Sequence, residues 1–449
     1  MYTLPNKLKL FAIIFMVVGA LGMGAGFLAV PADVEEVKTM MASHGDGHGD
    51  GHGAEAAAGD HGEAAGDHGA EGAHSGDAHY EHVLGQLQNK PWAAIYVAAF
   101  FFMMIALGAL AFYAIQYAAQ AGWSPVLFRV MEGITAYLPV GTAILFVLLC
   151  LSAFHFNHLF HWMDTDLVDP TSDKFDKIIA GKSGFLNTGF FLARAVFFML
   201  GWNLYRWISR KYSQKLDESN DPAYFKKLFK YSAGFLVFFI VTESMMSWDW
   251  IMSFDPHWFS TLFGWYVFAG MMVCAITVIA MVTMVLKSQG YLEFVNDSHI
   301  HDLAKFMFGF SIFWTYLWFS QFMLIWYSNI PEEVTYFVTR IEDFNLLFFG
   351  MVVMNFIFPV LILMNSDYKR VNLFVIMAGI IILAGHYIDV FVMVMPAAVG
   401  DQWSIGIPEL GALCFFFGLF VYVVFNALTK APLLAKANPF LKESKQFHY

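Results

Sequence analysis

Residues 239–266 read FIVTESMMSWDWIMSFDPHWFSTLFGWY and place Glu243, Asp249, Asp255 and His257 within or at the rim of apolar sequence. A carboxylate near the centre of a bilayer costs about 2.5 kcal/mol or more, so it persists where it faces a bundle interior, a file of water or a partner charge. Such groups carry protons or substrate, or they clasp two helices as neutral, hydrogen-bonded glue. Arg194, in FFLARAVFF, lies about ten residues from the outer end of its apolar stretch; Glu243 lies about thirteen from the inner end of the next. Both therefore fall near mid-membrane and are expected to pair, as a proton-path element or as a clasp. His386 and Asp389, in AGHYIDVF, stand three residues apart on one helix face. Imidazole titrates near neutral pH and a carboxylate beside it tunes that titration, which suits a proton relay. Arg129 and Glu132 open another apolar stretch at the inner side.

The segment AFHFNHLFHWMD brings His155, His158 and His161 three residues apart, with Asp164 just beyond. If the helix before them continues, they share roughly one face. With Asp255 and His257 they would gather at an outer mouth suited to quinol deprotonation or proton exit, or they anchor the interface beside Phe160 and Trp162. The i, i+3, i+6 spacing drifts around a helix, and no metal site is expected from it.

The elements that must position these groups are legible from hydropathy. Hydrophobic residues make up 58% of the chain, charged residues 14%, and mean hydropathy is +0.56. Ordinary globular domains carry about 25% charged residues, so an all-α polytopic membrane protein is expected. Ten stretches are long enough to span at about 20 residues each, near 8–30, 92–119, 131–154, 184–207, 230–252, 259–286, 303–328, 343–365, 371–395 and 407–429. With the N-terminus inside, cytoplasmic loops and tails hold 18 of the 25 Lys and Arg residues and the opposite side six. That asymmetry predicts both termini in the cytoplasm. The first stretch reads as an anchor rather than a cleaved signal, because it is long and no A-x-A site follows. Gly22 and Gly26 in it would let a neighbouring helix approach closely.

The net charge of −11 misleads as a global figure, since twelve acids lie between Asp33 and Glu81. Outside that segment the chain is nearly balanced, which argues against a nucleic-acid partner. Eight of the sixteen histidines fall between Ser43 and His82 among Gly, Ala, Asp and Glu. Such a composition buries too little apolar surface to offset ordering and predicts a flexible, solvated periplasmic spacer. The three cysteines are far apart, and CxxCH, a cluster-binding Cys run, GxGxxG and Walker A patterns are all missing. Facing intramembrane His pairs of the two-haem kind are missing too. The chain is thus expected to bind no redox cofactor of its own.

The stretches VTESMMSWDWIMSFDPHWFSTLFGWY and YLEFVNDSHIHDLAKFMFGFSIFWTYLWFSQFMLIWYSNIPEE, with the opening MYTLPNKLKLFAIIF, closely resemble the ActF family. These are the smaller NrfD-like (polysulfide reductase NrfD family) membrane subunits of bacterial alternative complex III, a quinol:cytochrome c oxidoreductase. The resemblance covers the chain outside the His-rich segment. It implies a first helix (1–30), a periplasmic loop (31–91), four-helix bundles at 92–252 and 253–395, a last helix (396–429) and a cytoplasmic tail (430–449). It implies partners as well: a larger NrfD-like subunit, a periplasmic subunit resembling iron–sulfur and molybdopterin enzymes, multihaem and monohaem cytochromes c, and small membrane subunits. Haem c and the iron–sulfur clusters belong to those partners. Electrons pass from quinol, menaquinol in many such bacteria, to cytochrome c or a terminal cytochrome oxidase in the inner membrane. In that setting the expected roles of this chain are scaffold and proton path, through Glu132, Arg194, Glu243, Asp249, His386 and Asp389. The alternative is a quinol site of its own near the periplasmic side of the first bundle, using His155, His158, Asp164, Asp255 and His257.

Overall fold

The structure is a computed structural model that describes residues 2–44 and 71–448. In chain order its helices are α1 (Asn6–Leu28), α2 (Val34–His44), α3 (Glu71–Ala118), α4 (Phe128–Ile134), α5 (Leu138–Ala153), α6 (Lys177–Lys182), α7 (Thr188–Ser219) and α8 (Pro222–Trp250). They continue as α9 (Leu262–Ser288), α10 (Asp297–Ser328), α11 (Pro331–Glu342), α12 (Asn345–Val352), α13 (Phe358–Leu363), α14 (Asn372–Val399), α15 (Ile407–Leu428) and α16 (Leu441–Lys445). Among the described residues there is no strand, and nine helical stretches are long and apolar enough to cross a membrane. One of them joins α4 to α5, and another joins α12 to α13 through a π-turn. The tenth long helix is α7, whose apolar half carries Arg194 and whose other half is the basic run RWISRKYSQK. The chain is an all-α polytopic membrane protein.

The core sits around α3. Its spanning part is apolar on every side and buried on every side, packed by α5, α8, α9, α14 and α15. Helices α3, α4–α5, α7 and α8 pack as one group of spans; α9, α10, α12–α13 and α14 form a second. The first and last spans lie outside both and pack on each other along small residues. A Cβ added at Gly22 would lie 2.9 Å from the Gly411 Cα, and one at Gly26 would lie 2.6 Å from the Pro408 Cβ, so these glycines do let α15 approach α1. Both termini lie on one face: Tyr2 packs on Tyr291 and Phe425, and Asn296 donates to the Phe447 carbonyl at 2.6 Å. That side is called the terminal face below, and its opposite the far face.

Several expectations are corrected. The acidic segment 31–91 is not a spacer throughout, because Val34–His44 and Glu71–Lys90 are helical; residues 45–70, with most of the spacer, lie outside the described residues. The run after α5 does not continue as an α-helix. His155 has a φ of +60°, and the chain turns there because the Asn157 amide oxygen accepts from Ser152, while Asn89 holds the backbone of His158 from both sides. The three histidines therefore do not share a helix face. An element outside the expected spans, α11, connects α10 to α12 as a strongly amphipathic helix on the far face.

Candidate functional site

Buried stripes at helical spacing carry the polar groups inward. On α7 the stripe runs Phe191, Arg194, Phe198, Trp202, Tyr205, Ser209, Ser213; on α8 it runs Ser232, Phe239, Thr242, Glu243, Met246, Asp249. At the far-face end the Arg194 guanidinium grips the Asp249 carboxylate with two hydrogen bonds, Nε at 2.7 Å and Nη2 at 2.8 Å. It also donates to the Phe185 carbonyl at 3.0 Å and lies over the Phe185 and Phe190 rings. The expected Arg194–Glu243 pair is thus corrected. α7 begins at Thr188 rather than 184, which brings Arg194 level with the last turn of α8. Glu243, six residues deeper, is 1% exposed, and its Oε1 has no hydrogen-bond partner.

Toward the terminal face the same bundle holds a second centre. Glu132 accepts from Arg129 Nη1 at 2.5 Å, Ser213 Oγ at 2.6 Å and Tyr113 Oη at 3.0 Å. Arg129 Nη2 reaches Asp217 at 2.5 Å, and Asp217 in turn accepts the Ala437 N–H of the C-terminal tail. Between this centre and Glu243 lie a Tyr205–Ser232 hydrogen bond at 2.7 Å and a Trp202–Thr242 bond at 3.0 Å. On α8, Ser232 and Glu243 are eleven residues apart, about 16 Å along the axis, so water must complete any proton route between them.

The second bundle holds a carboxylate centre deep in its interior. Asp389 on α14 accepts from the Tyr266 hydroxyl on α9 and, at 2.9 Å, from the Trp314 indole on α10. His386, one turn away, presents Nδ1 at 3.4 Å to the same carboxylate, and Trp314 meets its ring edge-on. His386 is fully buried, and its Nε2 has no partner. Asn355 joins this polar interior with both amide heavy atoms buried and unpartnered. It sits in the π-turn Val353–Ile357, where Pro359 cannot donate to the carbonyl four residues back. A Cβ at Gly385 would lie 2.2 Å from the Asn355 amide oxygen, so only glycine permits that approach.

On its far-face side Asp389 borders a cavity of about 20 Å³, which also touches Tyr266, Gln321, Tyr336 and Arg340. That is room for a single water. Tyr336 and Arg340 also border a larger vestibule of about 560 Å³, lined further by Glu81, His82, Asn89, His158, His161 and Asp255. Arg340 is 3% exposed and has no carboxylate partner among the described residues. It donates to the Tyr336 and Met393 carbonyls at 2.8 and 3.4 Å, and its Nε is unpartnered. Burial lowers its pKa below the usual arginine value, an effect that nearby Tyr336, Asp255 and Tyr266 oppose. Burial likewise lowers the His161 pKa, against the pull of Asp164.

The remaining predicted residues divide. His158 and Asp255 line the vestibule with His161, whereas His155 does not border it. His257 Nε2 lies 2.6 Å from Asp176, whose other oxygen caps α6. Asp164 accepts the Asp166 N–H and caps a short 3-10 turn. Tyr266, Trp314, Asn355, Arg340, Tyr113 and Ser213 were not legible as site residues. Only Asn355 carried a local signal, an amide four residues before proline within an apolar run. No protein-family model and no curated protein matches the sequence.

Proposed function

We propose that this chain is the smaller NrfD-like membrane subunit of an alternative complex III, where it scaffolds the assembly and conducts protons while electrons travel through its partners. The observation that carries the proton role is Asp389: a buried carboxylate, bonded by a tyrosine and a tryptophan and flanked by histidine, beneath a water-sized cavity and an open vestibule. A carboxylate so placed exchanges protons through the cavity water and the His386 ring. Arg340, a cation between vestibule and cavity, sets an electrostatic threshold there for hydronium. By the excess of lysine and arginine on it, the terminal face is cytoplasmic and the vestibule periplasmic. Glu132 then stands toward the cytoplasmic side of the first bundle and Glu243 between Glu132 and Asp249.

Purification through a tag on this chain from its native membrane tests the assembly. The expected product is a multisubunit complex with c-type haem absorbance that quinol reduces; recovery of the chain alone would contradict it. Glu243→Gln in that complex is expected to keep quinol oxidation and lower proton release per electron. An unchanged ratio would leave Glu243 as packing. A second reading is favoured by the size of the vestibule, which is ample for a quinol head. On that reading His161→Ala weakens quinol binding with assembly intact, and unchanged binding excludes it.

A further inference from the structure

A large apolar cleft lies apart from the buried polar centres described above. It has a volume of about 760 Å³ and runs between α3, α9, α14 and α15, walled by residues such as Phe102, Met281, Leu383, Leu413 and Phe417. Along α15 it extends from Glu409 to Phe425, about 24 Å at 1.5 Å per residue. That is most of a hydrocarbon core of about 30 Å. Ile380, Ile405 and Leu410 border it and are more than half exposed, so it opens toward the bilayer. Walls this apolar do not hold ordered water.

One carboxyl interrupts that wall at its far-face end. Glu409 is 2% exposed; its Oε2 accepts the Gly406 N–H at 2.9 Å, while its Oε1 is buried with no donor among the described residues. Close by, Lys90 Nζ donates to Ser404 Oγ at 2.8 Å and to the Gln402 carbonyl at 3.2 Å, which leaves one of its three N–H groups uncommitted. Ser404 Oγ in turn lies within 3.8 Å of the position a Cβ would take on Gly406. An acceptor without a donor among the described residues thus stands at the far-face end of the apolar cleft, and a cation with a spare donor is held on the same loop, at Ser404, two residues before Gly406.

We infer that the cleft holds a phosphoethanolamine lipid, with an acyl chain along α15, its primary ammonium on Glu409 Oε1 and its phosphate on Lys90. A choline head lacks the N–H that Oε1 requires, so discrimination between the two heads is the signature. The test is native mass spectrometry of the full chain, delipidated in detergent and titrated with phosphatidylethanolamine or phosphatidylcholine of matched chains. Phosphatidylethanolamine is expected to be retained about tenfold better, the worth of roughly one charge-assisted hydrogen bond. Glu409→Gln keeps the oxygen that accepts from Gly406, so α15 stays capped, and it brings the ratio to about one. Leu413→Trp narrows the acyl path along α15 and weakens retention of both lipids with the unfolding midpoint maintained. Equal retention of both heads by the unsubstituted chain, or undiminished discrimination by Glu409→Gln, would overturn the inference. So would a benzophenone at position 413 that captures a protein helix or a quinone in native membranes instead of this lipid.

Discussion

At the scale of single residues, the decisive fact is which charge meets which. Arg194 and Asp249 satisfy each other in two bonds inside the protein, so removing one partner strands the other. Arg194→Ala is expected to destabilise the fold by about 3–5 kcal/mol, whereas the double replacement Arg194→Met with Asp249→Leu costs far less. Denaturant unfolding in detergent measures both; equal losses would mean the pair does not act as a unit. The Asp176–His257 contact sits in the loops of the far face and responds to acid. Burial pushes the Asp176 pKa up, but the bonds from His257, Ile179 and Ile178 outweigh it and hold the pKa below the usual carboxylate value. The folded state therefore gains from ionised Asp176 above its unfolded pKa of about 3.9, and that gain is lost as pH falls through the lower folded value. Protection of the α6 loop from hydrogen exchange is expected to drop below about pH 4, and Asp176→Asn should abolish that pH step.

At the scale of elements, the spans were legible because a bilayer demands about 20 apolar residues in a row. The glycines of α1 were legible for the same kind of reason, since a close helix crossing needs small side chains. A Cβ at Gly411 would meet the Gly22 carbonyl carbon at 2.8 Å, a backbone atom that cannot swing aside. Gly411→Val is therefore expected to separate α1 from α15. Cysteines replacing Phe15 and Phe417, whose rings lie 5.6 Å apart, would then lose their cross-linking by a short bifunctional maleimide; persistence of the link would refute the crossing. What escaped the sequence was register and irregularity. The partner of Arg194 depended on where α7 begins, a matter of four residues. The course of the chain after His155 depended on Asn89, which holds His158 from 69 residues away. Arg340 lies on an amphipathic connector that hydropathy reads as a loop. The π-turn follows from Pro359, yet only the fold shows that it delivers Asn355 to Gly385.

At the scale of the whole molecule, the two bundles present buried carboxylates at different depths, and the second places Asp389 behind Arg340 at the base of a vestibule. On the proposed function, protons reach or leave the membrane interior through Asp389. Asp389→Asn keeps the size and an acceptor for Tyr266 or Trp314 while removing the titratable proton. The most direct measurement is the ratio of protons released to electrons transferred by the assembled complex in proteoliposomes, with and without this substitution. Quinol oxidation that continues while the ratio falls is the predicted result. A ratio equal to that of the unsubstituted complex, at the same electron flux, would contradict it.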